Sequence, residues 1–373
     1  MVTQKTLRVL VYLLTALVLA ITGCGKGVSN GKGDVQTGQA GSTGPGSKGQ
    51  MVLINGAGAS FPYPLYSLWI DEYCGKTANV RINYQSIGSG AGIEQVSKKI
   101  IDFGGSDAPM ADEKISEAPG EILHIPTVLG AVAIVYNLPD VGENIKFNPE
   151  TVADIFLGRI KRWNAPELVA VNPGGNLPDR EIVVVRRSDG SGTTNIFTDY
   201  LSVVSADWKE TVGRGTSVQW PTGLGAKGSE GLSRQVQATA GSIGYVELSY
   251  ALLNKLQYGM IKNKSGVYVA PSIDSITAAA AGAAPETPAD LRVSIVDPPG
   301  NQAYPIAGYT YILVYREQND AVKGQALARF LWWAVHDGEK MAAEMSYAPL
   351  PPEVVVMVEE KLRSMHSGGK SLL

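Results

Sequence analysis

The sequence predicts an α/β fold with a largely parallel sheet, divided between two domains. Three observations carry this expectation. A strand, a glycine-rich loop and a helix recur in that order along the chain. At 373 residues the polypeptide exceeds what a single core of ordinary size requires. Finally, the apolar β-like run Ile122 to Tyr136, interrupted by His124 and Pro126, is long enough to cross from one domain to the other.

The first segment reads as an export signal. Lys5 and Arg8 make a positive start, and Val9 to Ile21 is almost wholly apolar. That stretch falls short of the about 20 residues that span a bilayer, so cleavage is expected rather than insertion. It ends in Ile21-Thr22-Gly23-Cys24, which looks like the lipobox of bacterial lipoproteins. In such proteins the cysteine is acylated and becomes the first mature residue. Residues 1–23 are thus the expected signal peptide, with a plain secretory cleavage site as the alternative. Residues 24–50 are rich in Gly, Ser, Lys and Thr with almost nothing apolar, the composition of a flexible tether. With Cys24 lipidated, Cys74 is the one cysteine left, and an intrachain disulfide is excluded.

Beyond the tether, Val52-Leu53-Ile54 reads as a buried strand leading into the loop Gly56 to Pro62. Tyr63 to Tyr73 has the helical spacing of Leu65, Tyr66, Trp69, Ile70 and Tyr73. Val80 to Tyr84 alternates as a half-buried strand, and Gly88-Ser89-Gly90-Ala91-Gly92 precedes a helix carrying Ile93, Val96 and Ile100 on one face. Phe103 to Asp107 is a short strand and turn. Thr151 to Trp163 carries a helical pattern through Val152, Ile155, Phe156 and Ile160. Ile182 to Val185 is β-branched and apolar, and Ile196, Phe197, Tyr200 and Leu201 mark a helix after it. The Ala-rich stretch Ala278 to Ala284 reads as a surface helix or loop. Tyr304 to Tyr315 is an apolar strand, and Gln325 to Val335 and Glu353 to Met365 are two closing helices. Trp332-Trp333 and Cys74 are expected to pack rather than to bind or react.

Composition limits the function. Hydrophobic residues make up 44% and charged residues 18%, as in a globular protein. The formal net charge of −3 and the lack of a Lys/Arg cluster argue against nucleic-acid binding and against a polybasic membrane patch.

Four hydroxyl-bearing loops fall at strand-to-helix junctions: Ser60-Phe61-Pro62, Ser89, Ser106-Asp107, and Asp189-Gly190-Ser191-Gly192-Thr193 after Arg186-Arg187. A helix start exposes unpaired N–H groups, and small residues let an oxyanion approach them. Serine and threonine hydroxyls add donors, and arginine adds a planar charged one. Each loop alone could be an ordinary turn with a cap. Four of one chemical kind, with an arginine and two aspartates, read as an oxyanion pocket, since ligands of open α/β sheets gather beyond the carboxyl ends of the strands.

The same residues resemble a known family. Gly-Ala-Gly-Ala-Ser-Phe-Pro, Tyr-Gln-Ser-Ile-Gly-Ser-Gly, Asp-Phe-Gly-Gly-Ser-Asp-Ala-Pro and Arg-Arg-Ser-Asp-Gly-Ser-Gly-Thr look like the phosphate-binding proteins of bacterial ABC phosphate importers, the Pst system. Ile-Pro-Thr-Val at 125–128, Trp-Pro-Thr-Gly-Leu-Gly-Ala-Lys-Gly at 220–228 and Gly-Ser-Ile-Gly-Tyr-Val-Glu at 241–247 extend the likeness from residue 52 to 360. Ser60 stands where a threonine is common, and Gly90-Ala91 replaces a Ser-Gly pair.

The resemblance implies a two-lobed clamshell of the type II periplasmic-binding-protein kind, each lobe a mixed, mostly parallel sheet flanked by helices. Lobe 1 would comprise 51–128 and 302–373, and lobe 2 would comprise 129–301. Dehydrated phosphate would lie between them, bound by Ser60, Phe61 N–H, Ser89, Ser191, Gly192 N–H and Thr193, with Pro62 in the first loop. Arg187 would supply the charged donor, paired by Asp189, and Asp107 would accept the proton that phosphate still carries. The implied partners are inorganic phosphate, the subunits of an ABC phosphate permease and, through Cys24, the membrane. Neither cofactor nor metal is implied, and a monomer is expected outside the cytoplasm.

Asp107 has a logic independent of family. A buried carboxylate tolerates an anion only with a proton between them. Protonated phosphate supplies one; sulfate, fully ionised near neutral pH, cannot, and an unmade hydrogen bond in a dry site costs about 1–3 kcal/mol.

Rival readings fare worse. A serine hydrolase would need a histidine base, yet His124, His336 and His366 are all remote in sequence from the glycine loops. The loop at 189–193 lacks the leading glycine of a nucleophile elbow. Gly75-Lys76-Thr77 ends like a P-loop, but Ile70 occupies its first glycine position. A receptor for another oxyanion, such as sulfate or molybdate, is opposed by Asp107.

Overall fold

A computed structural model describes residues 51–142, 144–284 and 287–373. The expected signal peptide, Cys24 and the tether lie outside the described residues. Among the described residues no helix is long and apolar enough to cross a membrane.

One mixed nine-stranded sheet organises the chain. β1 (Val52–Gly58) pairs in parallel with β2 (Val80–Ser86) and β3 (Phe103–Ser106). β4 is Ile122–Tyr136, buried at every position, in keeping with its mostly apolar sequence; His124 and Thr127 are buried with it. The next strands are β5 (Val183–Arg187), β6 (Leu224–Ala226), β7 (Ser242–Glu247), β8 (Gln257–Tyr258) and β9 (Ala307–Tyr315). β9 lies between β3 and β4, antiparallel to both. β5 runs parallel to its neighbours β6 and β7.

β4 changes partner midway. From Ile122 to Ala131 it pairs with β9; from Val132 to Tyr136 it pairs with β7. One continuous strand therefore joins the β2-β1-β3-β9 group to the β7-β5-β6 group, giving the two-lobed α/β architecture.

The helices cover this sheet. α1 (Tyr63–Lys76) buries Leu65, Tyr66, Trp69 and Tyr73. The indole of Trp69 also donates to Gly338 O at 2.7 Å. Each large side chain removed from water contributes about 1.5–3 kcal/mol. α2 (Ser89–Ser97) packs beside β3 through Val96, and α3 is Pro149–Phe156. α4 (Gly192–Val204) follows β5, α5 (Gly228–Ala238) follows β6, and α6 (Leu248–Leu253) follows β7. α7 (Ile273–Ala283), α8 (Ala321–Ala334) and α9 (Pro352–Arg363) complete the principal helices.

Three elements differ from expectation. α2 ends at Ser97, before Lys99 takes φ +54°, so Ile100, expected on its apolar face with Ile93 and Val96, lies beyond the helix and is exposed. The helix anticipated to reach Trp163 stops at Phe156, because Gly158 takes φ +73° and turns the chain. The Ala-rich segment is a helix, but no mere surface one. Ala279 and Ala280 are buried where α7 packs against β4, small side chains permitting close approach. Trp333 packs against Tyr73 and Phe330 as anticipated, and Cys74 is a half-buried free thiol.

Candidate functional site

The first loop leaves β1 through Gly58, where a side chain would meet Gly105 O at 2.1 Å. Ser60, almost fully buried, places its Oγ 2.8 Å from Ser229 Oγ and accepts from Ser229 N at 3.1 Å. Its carbonyl accepts from Tyr250 Oη at 2.8 Å. The Phe61 ring is buried against Gly130, and the Phe61 carbonyl accepts from Tyr347 Oη at 2.6 Å. Pro62, which has no N–H to give, is the N-cap of α1.

Ser89 opens α2 after Gly88, whose φ of +92° only glycine adopts readily. A Cβ at Gly88 would also lie 2.5 Å from Asp189 Oδ2. Ser89 Oγ accepts from Gly192 N at 3.0 Å and from Asp107 N at 3.3 Å. Two amides from opposite groups of strands thus aim at one oxygen.

Asp107, just past β3, is 3% exposed. Thr310 Oγ1 donates to its Oδ1 at 2.9 Å, and Ser89 Oγ lies 3.5 Å from its Oδ2. Burial pushes the Asp107 carboxyl up to about 7, against the opposing pull of Thr310, Arg187, Ser89 and the Thr193 N–H. Near neutral pH its charge is therefore responsive to what it faces.

Arg187 ends β5 and is buried with its guanidinium clasped to Asp189, Nε to Oδ1 at 2.8 Å and Nη2 to Oδ2 at 2.5 Å. Its Nη1 donates to Ser229 Oγ at 3.4 Å. Burial would raise the Asp189 carboxyl, but Arg187 and the Gly228 N–H at 3.0 Å hold it below the usual carboxylate range. Arg186, its neighbour on the strand, faces the other way along Gly223 and Gly225.

At the start of α4, Ser191 caps the helix by accepting from Thr194 N at 3.1 Å, leaving its own proton available to donate. Gly192 is pressed against Asp107 and Ser89, and Thr193 Oγ1 is buried with no partner among the described residues. Unpaired buried hydroxyls are uncommon, and this one points to a ligand.

The structure thus draws the sequence-predicted residues into one cluster. Ser60 and Arg187 are joined through Ser229 and Arg187 holds Asp189, while Ser89 bonds both Asp107 and Gly192. Three side chains escaped the sequence reading. Ser229 follows the 220–228 motif at a helix start; Thr310 is a hydroxyl within an apolar strand; Glu247 ends β7 fully buried. A lone polar residue in an apolar run was the available signal for Thr310.

A cavity of about 600 Å³ adjoins the cluster, with Asp107, Asn195, Asp199, Arg214, Arg292 and Tyr309 among its walls. Chemically, the arrangement offers helix-start amides, hydroxyls and one neutralised arginine to a small tetrahedral oxyanion. The carboxyl facing them favours an anion that retains hydrogen.

Comparison with known proteins agrees with this chemistry. Residues 35–337 match the family described as the PBP superfamily domain. The chain is 44% identical to the phosphate-binding protein PstS of Pasteurella multocida over 326 residues, covering 87% of this chain and 94% of that protein. It is also 44% identical to PstS of Xylella fastidiosa strain 9a5c over 352 residues, covering 93% and 96%. Among solved structures, the phosphate binding protein of Stenotrophomonas maltophilia shares the fold with a TM-score of 0.62 at 22% identity, covering 83% of this chain and 93% of that one.

Proposed function

The chain belongs to the PstS phosphate-binding proteins of the PBP superfamily, and from that premise we propose how it holds phosphate and where it works. It captures inorganic phosphate outside the cytoplasm and delivers it to an ABC importer. Its family binds solute rather than transforming it.

Phosphate is held by Ser60, the Phe61 N–H, Ser89, Ser191, the Gly192 N–H and Thr193, with Pro62 shaping the first loop. Arg187 is the charged donor and Asp189 its counter-ion, so the pocket gains a directed donor without becoming broadly cationic. Asp107 receives the hydrogen of the bound anion. The observation carrying this reading is the buried Thr193 Oγ1 at the start of α4, without a partner among the described residues, close to an Asp107 carboxyl that burial raises to about 7.

The lobes of this reading are 51–128 with 302–373, and 129–301. The partner exchange of β4 between Ala131 and Val132 supports a junction there. The protein acts as a monomer tethered to the membrane by an acylated Cys24, through the segment 24–50.

Equilibrium dialysis of the purified protein against labelled phosphate tests the assignment. One phosphate per chain is expected, with strong loss in Thr193→Val. Undiminished binding by that variant would displace the site from α4.

A further inference from the structure

A second buried carboxyl lies close to the phosphate loops. Glu247, at the end of β7, is fully buried, and its Oε1 has no partner among the described residues. Gly130 and the Phe61 ring back it; a Cβ at Gly130 would stand 3.3 Å from Oε1. Its Oε2 meets Ser249 Oγ and accepts from Ser249 N at 2.7 Å. Ser249 Oγ is 3.0 Å from Tyr347 Oη, and Tyr347 Oη is 2.6 Å from the Phe61 carbonyl oxygen.

These contacts form a row of four oxygens with three gaps, and each gap needs one proton. The Phe61 carbonyl can supply none. Ser249 and Tyr347 supply one each. With an ionised Glu247, one gap would hold two facing lone pairs in a dry interior. With a protonated Glu247, every gap is filled and all three bonds run one way: carboxyl to serine, serine to tyrosine, tyrosine to carbonyl. A neutral acid also leaves Oε1 as a carbonyl-like oxygen, cheaper to bury unpartnered than half of a charge.

We propose that Glu247 carries a proton near neutral pH and, through Ser249 and Tyr347, fixes the Phe61 main chain so that its N–H faces phosphate. Glu247 is thereby a positioning residue that never touches the ligand, and this half of the inference rests on the phosphate reading above. The titratable groups that act on it include Asp107, Tyr250 and Tyr347. Burial pushes the Glu247 carboxyl up to about 8, in line with the proton count.

Glu247→Gln keeps a donor in place of the acid and removes the titration. In the ligand-free protein, the infrared difference between wild type and this variant at neutral pH should show the carbonyl stretch of one protonated acid. A carboxylate band in its place would overturn the proton assignment. Phosphate affinity of the wild type should fall about tenfold relative to Glu247→Gln between about pH 6 and about pH 10, the scale of one lost hydrogen bond. Parallel profiles would overturn the positioning role. Tyr347→Phe, which leaves the acid intact, should weaken phosphate about tenfold where Glu247 is protonated and match the wild type where it is ionised, and unchanged binding at the acidic end would count against the relay. Failure of the wild type to bind phosphate would refute the phosphate reading and with it the positioning role, whereas the infrared band would still decide the proton.

Discussion

Gly192 and Asp107 touch so closely that a Cβ on the glycine would lie 2.6 Å from both the Cβ and the backbone nitrogen of the aspartate. The first residue of α4 and the residue after β3 therefore leave no space for a side chain between them. Gly192→Ala is expected to cost about 1–3 kcal/mol of phosphate binding by forcing the loops apart. Titration calorimetry measures the loss; affinity equal to wild type would show that the loops need not meet.

Asp107→Asn should narrow the gap between phosphate and sulfate. The amide can donate to an ionised oxygen where the ionised carboxylate can only accept, so sulfate gains as phosphate loses its proton acceptor. Competition calorimetry with the two anions reads the ratio directly. An unaltered ratio would remove Asp107 from the selectivity mechanism.

Arg187→Ala strips the partner from buried Asp189. Binding should weaken by about 3–5 kcal/mol, because the lost donor is compounded by an uncompensated carboxylate. Adding Asp189→Ala should recover part of that loss by removing the stranded charge. A double variant worse than the single one would mean that Asp189 has a role beyond pairing Arg187.

Stability should fall as pH rises. Burial raises Asp107 to about 7 and Glu247 to about 8 in the folded state, from 3.8 and 4.5. The folded protein thus holds protons that the unfolded chain releases across that window. The contribution is complete below the unfolded values and lost as pH climbs through 7 and then 8. Asp189, held low, acts oppositely, adding stability that disappears on acidification. Denaturant unfolding of the phosphate-free protein from mildly acidic to mildly alkaline pH should show the decline, on the order of a few kcal/mol. Asp107→Asn should flatten its lower part. An equally steep curve in that variant would contradict the assignment.

Cys24→Ala should release the protein from the membrane fraction and abolish fatty-acid labelling. Continued membrane association would point to a retained signal helix rather than acylation.

Much of this was legible in the chain. β4 runs over Ile122–Tyr136 as its long, mostly apolar sequence indicates despite His124 and Pro126, and the four hydroxyl loops assemble because parallel strands deliver their carboxyl ends together. What escaped did so for physical reasons. The helical periodicity through Trp163 continues past the point where Gly158 adopts a left-handed turn, so apolar spacing outlasts the helix. Thr310 and Glu247 are polar positions within buried strands, and sequence cannot say whether such a group meets a partner across the sheet. Ser229 acquires its place from a contact to Ser60 spanning 169 positions, which no local pattern encodes.

Donors from both groups of strands are expected to strip water from the bound oxyanion, and Asp107 to require that it bear hydrogen. Titrating the purified protein near neutral pH with phosphate and, in turn, with sulfate separates the two possibilities. One tight phosphate site per chain that excess sulfate does not displace is the expected result. Sulfate binding as tightly as phosphate at that site would contradict it.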